Sequence, residues 1–312
     1  MSHILVIKLG ALGDFIQALG PMRAIREAHK HDKITLLTTQ PFAKMGAECG
    51  YFDDILIDVR PKWYQVSAWI ELVRALNAGQ YARVYDLQNN DRTGHYFRLM
   101  DTPKPEWVGI AKGASHRNLS DERTAGNSYQ GHVNTLALVG MTGVSIDRLE
   151  WMHGDFPVEE LNTPYVLMMP GCAPSRPEKR WPAVHYADIA KELVKQGFQP
   201  VLIGTQDDYE AIKTIQETGG KGIVSLLGRT SLFDIAALAR HAAFCVGNDT
   251  GPIHLAAATG CPTLVLFNLS KSSNPVRHAP NGENVHILAK DPLATINTDN
   301  VLDQLKTLRL IK

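Results

Sequence analysis

The sequence predicts an α/β protein built from two Rossmann-like, doubly wound parallel-sheet domains facing a cleft. Three observations predict it. Short apolar runs alternate with helical patterns of about 10 to 17 residues, the arrangement of a parallel sheet covered on both faces. The alternation lapses once, around Trp151–Pro164, into Gly, Asp, Pro, Glu and Asn, and then restarts. The two halves also open alike, Ile4-Leu5-Val6-Ile7-Lys8-Leu9-Gly10 in one and Tyr165-Val166-Leu167-Met168-Met169-Pro170-Gly171 in the other. The expected division is 1–155, 156–296 and a terminal helix over 297–312. Each sheet binds at its carboxyl edge in such folds, so paired domains imply a ligand cleft.

Taken in order, the first half offers strands at His3–Leu9, Lys33–Thr38, Asp54–Val59, Ala82–Leu87 and Trp107–Ile110. Between them lie helical patterns at Asp14–His29, Pro41–Gly50, Trp63–Ala78 and Gln130–Gly140. Pro21 sits deep enough in the first of these to predict a break or kink at Gly20-Pro21. The second half offers strands at Tyr165–Met169, Pro200–Gly204, Ile223–Leu226, Phe244–Gly247, Thr263–Phe267 and Val285–Leu288. Its helices fall at Ala183–Gln196, Asp207–Thr218, Leu232–His241, Pro252–Thr259 and Thr298–Leu308. No short-period repeat is present, which excludes a solenoid.

Composition narrows the function classes. The 312 residues are 44% hydrophobic and 21% charged, with 32 basic and 32 acidic side chains. With no net charge, nothing global draws the chain to nucleic acid or an anionic membrane, so an anion site has to be local. Cys49, Cys172, Cys245 and Cys261 show neither paired nor metal-ligand spacing, which fits a reducing compartment. Ile4-Leu5-Val6-Ile7 is too short for a signal-peptide core, and no run approaches the roughly 18 apolar residues of a membrane span. A cytoplasmic protein is expected.

Chemistry-bearing residues gather in the loops that follow strands. Gly10-Ala11-Leu12-Gly13-Asp14 leaves the first strand and opens a helix, yet it lacks the third glycine of a dinucleotide loop and the Lys-Ser/Thr of a P-loop. Asp14, ionised at a helix start, suits a general base that takes a proton from an attacking sugar hydroxyl; a plain helix cap is the alternative. The loop Gly171–Pro182 collects Ser175, Arg176, Lys179 and Arg180, a hydroxyl and mobile cations suited to a diphosphate, or else a solvated basic turn. Gly204–Asp208 presents acids that could meet ribose hydroxyls or cap the next helix. Val246–Asn268 reads as strand, tight loop, helix and buried strand, with Thr250-Gly251-Pro252 opening a short apolar helix toward an anion or simply forming core. The Asp249 carboxylate beside such an anion is expected to be held by backbone N–H groups of its own loop. Cys172 has no evident histidine partner, and His254 alone is an ordinary buried histidine. No D-x-D pair is present to carry a divalent ion on a diphosphate.

Together these segments resemble the ADP-heptose:lipopolysaccharide heptosyltransferases, the family 9 glycosyltransferases. The resemblance rests on Ile7-Lys8-Leu9-Gly10-Ala11-Leu12-Gly13-Asp14, Tyr85-Asp86-Leu87-Gln88, Ser175-Arg176-Pro177-Glu178-Lys179-Arg180-Trp181-Pro182 and Gly247–Ala257. It implies a GT-B architecture, in which the last helix, here Thr298–Leu308, crosses back to the first domain, and inverting transfer of a heptose from an ADP-sugar donor to a lipid-linked oligosaccharide, the lipopolysaccharide inner core. Asp14 is then the base, and Ser175, Lys179, Thr250 and Gly251 meet the donor diphosphate. Asp208, Asp249 and His254 meet the ribose or nucleotide. Gly13, Lys62, Lys112 and Arg117 are candidates for the acceptor side. Trp63, Tyr64, Lys104 and His116 could join them on an anionic sugar or lipid headgroup, although Glu106, Asp121 and Glu122 dilute that charge and a solvated surface is the alternative. No metal, cofactor or nucleic acid is expected; peripheral contact with the inner face of the cytoplasmic membrane is. A transferase for another nucleotide sugar such as a hexose, a nucleotide-sugar epimerase and a non-catalytic binding module are the alternatives.

Overall fold

The computed structural model describes residues 1–121, 126–270 and 273–312, so Glu122 lies outside the described residues. The chain divides into two compact units, Met1–Asp147 and Arg148–Lys312. The break comes earlier than the composition lapse because Leu149 and Met152 are fully buried and their carbonyls accept from Arg240 of the second unit.

The first unit holds a six-stranded parallel sheet of β1 (His3–Ile7), β2 (Lys33–Thr38), β3 (Asp54–Ile57), β4 (Arg83–Asp86), β5 (Glu106–Gly109) and β6 (His116–Arg117), in the order β3-β2-β1-β4-β5-β6. Its helices are α1 (Leu12–Ala28), α2 (Ala43–Glu48), α3 (Val66–Ala78), α4 (Asp91–Leu99) and α5 (Ser128–Ala137). Four of the five β1 residues are buried, as a central strand covered on both faces requires. Ile4 pairs with both Ile34 and Arg83, so the strand order reverses between β1 and β4. The loop leaving β1 therefore emerges at the switch point where doubly wound sheets bind ligands.

Of the expected break or kink at Gly20-Pro21, the break does not occur: helix α1 runs through Pro21 from Leu12 to Ala28. Nine of its residues between Phe15 and Ile25 are buried, and this packing outweighs the roughly 3 kcal/mol that an internal proline costs. Gly20 serves the same packing, since a Cβ there would collide with the Ser145 carbonyl. Helix α4 and strand β6 had no counterpart in the sequence reading. The first is capped by Asn90, whose side chain accepts from the Thr93 N–H; the second is two polar residues at a sheet edge.

The second unit repeats the topology. Strands β7 (Tyr165–Met169), β8 (Gln199–Leu202), β9 (Val224–Ser225), β10 (Phe244–Asn248), β11 (Thr263–Asn268) and β12 (Val285–Lys290) lie in the parallel order β12-β11-β10-β7-β8-β9. Helices α6 (Ala183–Lys195), α7 (Tyr209–Gly219), α8 (Leu232–His241), α9 (Gly251–Ala258), α10 (Pro275–His278) and α11 (Thr298–Thr307) accompany them. The switch point falls between β7 and β10, where Gly247 pairs with Met169. Val301 and Leu305 of α11 are buried in one core with Trp181, Tyr186 and Leu264. The terminal helix, expected to return to the first domain, thus packs in the second unit. It does so because its apolar stripe is used against α6. Both units match the α/β class of Rossmann-like parallel sheets that the alternation predicted.

Candidate functional site

In the first unit, the loop Gly10–Asp14 is pinned at its root. The Leu9 N–H donates to Gln88 Oε1 at 2.8 Å, and the Leu9 carbonyl accepts from Arg60 Nη2 at 2.9 Å and Thr39 Oγ1 at 3.2 Å. Gly10 has φ +108°, and a Cβ there would collide with the Phe42 ring, so the turn admits only glycine. Asp14 follows in the first turn of α1, half-buried. Among the described residues its carboxylate has no hydrogen-bond or ion-pair partner, and Ala11, with no side chain to offer, is the cap residue. The helix-cap alternative for Asp14 therefore has no bond to support it.

Beneath this loop lies a buried polar cluster that the sequence reading did not assign. Asp86, at the end of β4, accepts from the Asn89 N–H at 2.9 Å, the Gln88 N–H at 3.1 Å and Thr93 Oγ1 at 2.6 Å. Burial pushes its carboxyl up to about 6, against the pull of those donors and of the Lys8 ammonium. Lys8 Nζ in turn donates to the Leu87 carbonyl at 3.0 Å and sits 3.3 Å from His132 Nε2. The Tyr85-Asp86-Leu87-Gln88 segment thus serves as a frame: Asp86 folds the β4–α4 loop, and Gln88 from that loop fixes the root of the Asp14 loop.

The acceptor-side candidates share the carboxyl edge of this sheet but not one spot. Gly13 lies in the first turn of α1, over β1. Lys62 follows β3 at one end of the strand order, while Lys112 follows β5 and Arg117 ends β6 at the other. Lys104 is at the opposite edge, where its ammonium closes the end of α4 by donating to the Phe97, Arg98 and Met100 carbonyls. It is a helix cap and is removed from the acceptor group.

In the second unit, loops after β7, β8 and β10 meet the start of α8 around a pocket of about 400 Å³. Met169, Ile203, Leu232 and Ile235 give it apolar walls, and Thr205, Asp207, Asp208, Thr230, Ser231 and Thr250 place polar groups around them. Such a mixture suits a flat apolar ring joined to a hydroxylated sugar. The N-terminus of α9 reaches this pocket through Thr250 and Pro252 and has no side-chain cap, which leaves backbone N–H capacity for an anion. The start of α8 is closed instead, by reciprocal Ser231 and Asp234 bonds.

Of the expected donor residues, Asp208 and Thr250 line the pocket, and Gly251 opens α9 beside them. Ser175 is exposed on the β7–α6 loop. Lys179, Asp249 and His254 form a cluster of their own. Asp249, buried, is in an ion pair with Lys179, lies 3.5 Å from Ser273 Oγ and has one carboxylate oxygen 4.0 Å from His254 Nε2. The expectation that its own loop would hold that carboxylate is corrected: Lys179 of the β7–α6 loop neutralises it. The sequence gives no hint of this, because the partners are 70 residues apart and meet only where β7 and β10 are neighbours.

Asp208 is similarly committed. One oxygen accepts from the Thr205 N–H at 3.0 Å and hydroxyl at 3.2 Å; the other pairs with Arg180 Nη2 at 2.9 Å. Asp207, the preceding residue, lines the same pocket, is exposed, and has no side-chain partner among the described residues. It is the acid free to meet a ligand. Asn248, also unassigned by sequence, is fully buried and ties the site together. Its amide donates to the Pro170 carbonyl at 2.6 Å, and its oxygen accepts from Tyr186 Oη at 3.0 Å and the Trp181 N–H at 3.2 Å. Burial pushes the Cys172 thiol up, as in an inert wall residue. Among the described residues no cluster of three or more His, Cys, Asp or Glu is placed to hold a metal ion.

Known proteins resemble this chain in sequence and in fold. A family model described as glycosyltransferase family 9 (heptosyltransferase) matches residues 69–305. Lipopolysaccharide heptosyltransferase 2 of Salmonella typhimurium is 34% identical over 123 residues, which is 38% of this chain and 35% of that protein. This match spans about a third of the curated relative's length. Among solved structures, a family 9 glycosyl transferase from Veillonella parvula superposes with a TM-score of 0.82 at 22% identity, covering 99% of this chain and 97% of that one. ADP-heptose lps heptosyltransferase II of Escherichia coli gives 0.75 at 21% identity, over 99% and 98%. The likeness to these two structures is one of fold. The chain belongs to glycosyltransferase family 9.

Proposed function

We propose that this family 9 chain is an inverting, metal-independent glycosyltransferase that moves a heptose from ADP-heptose to a sugar of lipopolysaccharide inner core. It would work in the cytoplasm, with peripheral contact at the inner face of the membrane that carries its lipid-linked acceptor. The observation that carries the donor half is the pocket of the second unit, where apolar walls and polar side chains adjoin an uncapped helix start. In this reading the adenine lies against Ile203, Leu232 and Ile235, and the ribose hydroxyls donate to Asp207. The diphosphate meets the N-terminus of α9 and the Thr250 hydroxyl, with Ser175 and Lys179 brought to it from the β7–α6 loop. As the bond from the sugar to the diphosphate breaks, those groups stabilise the charge that develops on the leaving oxygen. Asp14 takes the proton of the acceptor hydroxyl as its oxygen attacks the anomeric carbon. Its unpartnered carboxylate supports that role, because a base tied into an ion pair would first have to be released.

Calorimetric titration with ADP, UDP and GDP, with and without magnesium, tests the reading. ADP is expected to bind at least about tenfold tighter than the other two, with affinity unchanged by magnesium. Preference for UDP, or binding that requires the metal, would overturn it. Sustained epimerisation of a nucleotide sugar supplied without acceptor would replace transfer by epimerase chemistry.

A further inference from the structure

We infer that the first unit carries a ligand site of its own, a pocket for a small organic amine, at the edge of its sheet away from the Asp14 loop. The loops that enter parallel strands lie at the amino edge of a sheet. Two of them, α3–β4 and α4–β5, enclose a cavity of about 390 Å³. Leu76, Tyr81 and Met100, all buried, give it an apolar lining. Substrates of doubly wound sheets bind at the carboxyl edge, so a ligand here is neither donor nor acceptor.

The pocket is already formed. Asn77 joins the two helix ends: its Nδ2 donates to the Leu99 carbonyl at 3.4 Å, and its Oδ1 accepts from the Asp101 N–H at 3.0 Å. Lys104 Nζ fastens the end of α4 by donating to the Met100 carbonyl at 2.7 Å and the Phe97 carbonyl at 2.9 Å. Tyr81 packs on His3, with ring centroids 4.6 Å apart. Pro103 and Pro105, which also line the cavity, stiffen the rest of the loop.

The surrounding charges select a cation. Among the described residues Asp101 is the one ionised side chain lining the cavity, and its exposed carboxylate has no hydrogen-bond or ion-pair partner. Helix α3 ends at Ala78 and α4 at Leu99, so the negative poles of two helix dipoles meet at this cavity. Lys104, the cation of the α4–β5 loop, is spent on the α4 carbonyls and leaves no countercharge for an anion. Its position also shows that the end of α4 draws an ammonium. A tyrosine ring and a thioether beside a carboxylate suit an ammonium carried on a flat apolar body, and the volume admits such a molecule.

The test titrates phenethylamine into the full chain labelled at its methionine methyl groups, followed by NMR. Phenethyl alcohol and phenylpropionate serve as the neutral and anionic counterparts. The Met100 methyl signal, assigned with Met100→Leu, should move saturably with a Kd of about 1 mM. Met169, which lines the pocket of the second unit, should not move. The alcohol should bind about fivefold more weakly, and phenylpropionate should not bind up to about 20 mM. Asp101→Asn should lower the affinity for the amine to that for the alcohol, leaving alcohol binding and melting temperature unchanged. A Met100 signal unmoved at about 20 mM amine would overturn the site, as would movement of Met169 instead. Equal binding of amine and alcohol by the natural chain, or undiminished amine binding by Asp101→Asn, would overturn the choice of a cation. The readout uses neither ADP nor transfer, so it stands apart from the glycosyltransferase reading.

Discussion

The two carboxyl edges share one strand topology but treat their charges in opposite ways. In the second unit the two buried acids near the pocket are paired with cations, Asp249 with Lys179 and Asp208 with Arg180, and the exposed Asp207 at the pocket is left unpaired among the described residues. In the first unit Asp14 stands in its helix turn with no partner among the described residues. In the proposed reading, a diphosphate at the start of α9 profits from cations kept close and from buried acids already paired, since an uncompensated carboxylate beside the phosphates would repel them, whereas Asp207 meets the ribose hydroxyls. A base needs the reverse, an accessible lone pair. The difference teaches that one fold supplies the places while local pairing decides whether an acid serves structure or chemistry.

The largest way to break this contrast is to strip the buried pair of one member. Lys179→Met leaves Asp249 buried without its countercharge and should cost about 3–5 kcal/mol in urea unfolding. Adding Asp249→Asn should restore most of that stability but not ADP affinity. A Lys179→Met chain as stable as the natural one would show that the pair carries no buried charge.

Next comes Asp86, whose carboxyl titrates near 6 in the fold and at the ordinary 3.8 when unfolded. Between those values the folded chain keeps a proton that the unfolded chain has released, so this contribution is complete below about pH 4 and lost by about pH 6. A shift of that size is worth on the order of 3 kcal/mol. Asp86→Asn should flatten that part of the stability-versus-pH curve. An unchanged slope would mean that the buried cluster holds its charge without cost.

The smallest effect sharpens the comparison within the pocket. Asp207→Asn should weaken ADP binding about tenfold, near 1.4 kcal/mol, with little change in melting temperature. Asp208→Asn should lower the melting temperature, because Asp208 holds Thr205 and Arg180 together. The opposite assignment of effects would return the ribose contact to Asp208.

What was legible in the sequence follows from range. Strands such as Ile4–Ile7 and Leu264–Phe267 are buried on both faces and announce themselves as apolar runs, and loop positions such as Asp14 follow from strand ends. Helix α4 escaped because its nine residues include Gly94 and five polar side chains, although the Asn90 cap was there to be read. The early unit boundary depends on carbonyls of Leu149 and Met152 accepting from Arg240, about 90 residues on. The partners of Asp249 and Asp208 depend on which strand ends become neighbours. The local pattern fixes where an acid sits; only the assembled sheet decides what it touches.

The central claim is that Asp14 is the base while the donor is held by the second unit. Asp14→Asn, assayed for transfer and for ADP binding on the same preparation, tests it most directly. The account predicts ADP affinity within twofold of the natural chain and transfer reduced by about 10²–10⁴-fold, the range lost with a general base. Near-normal transfer by Asp14→Asn would contradict it.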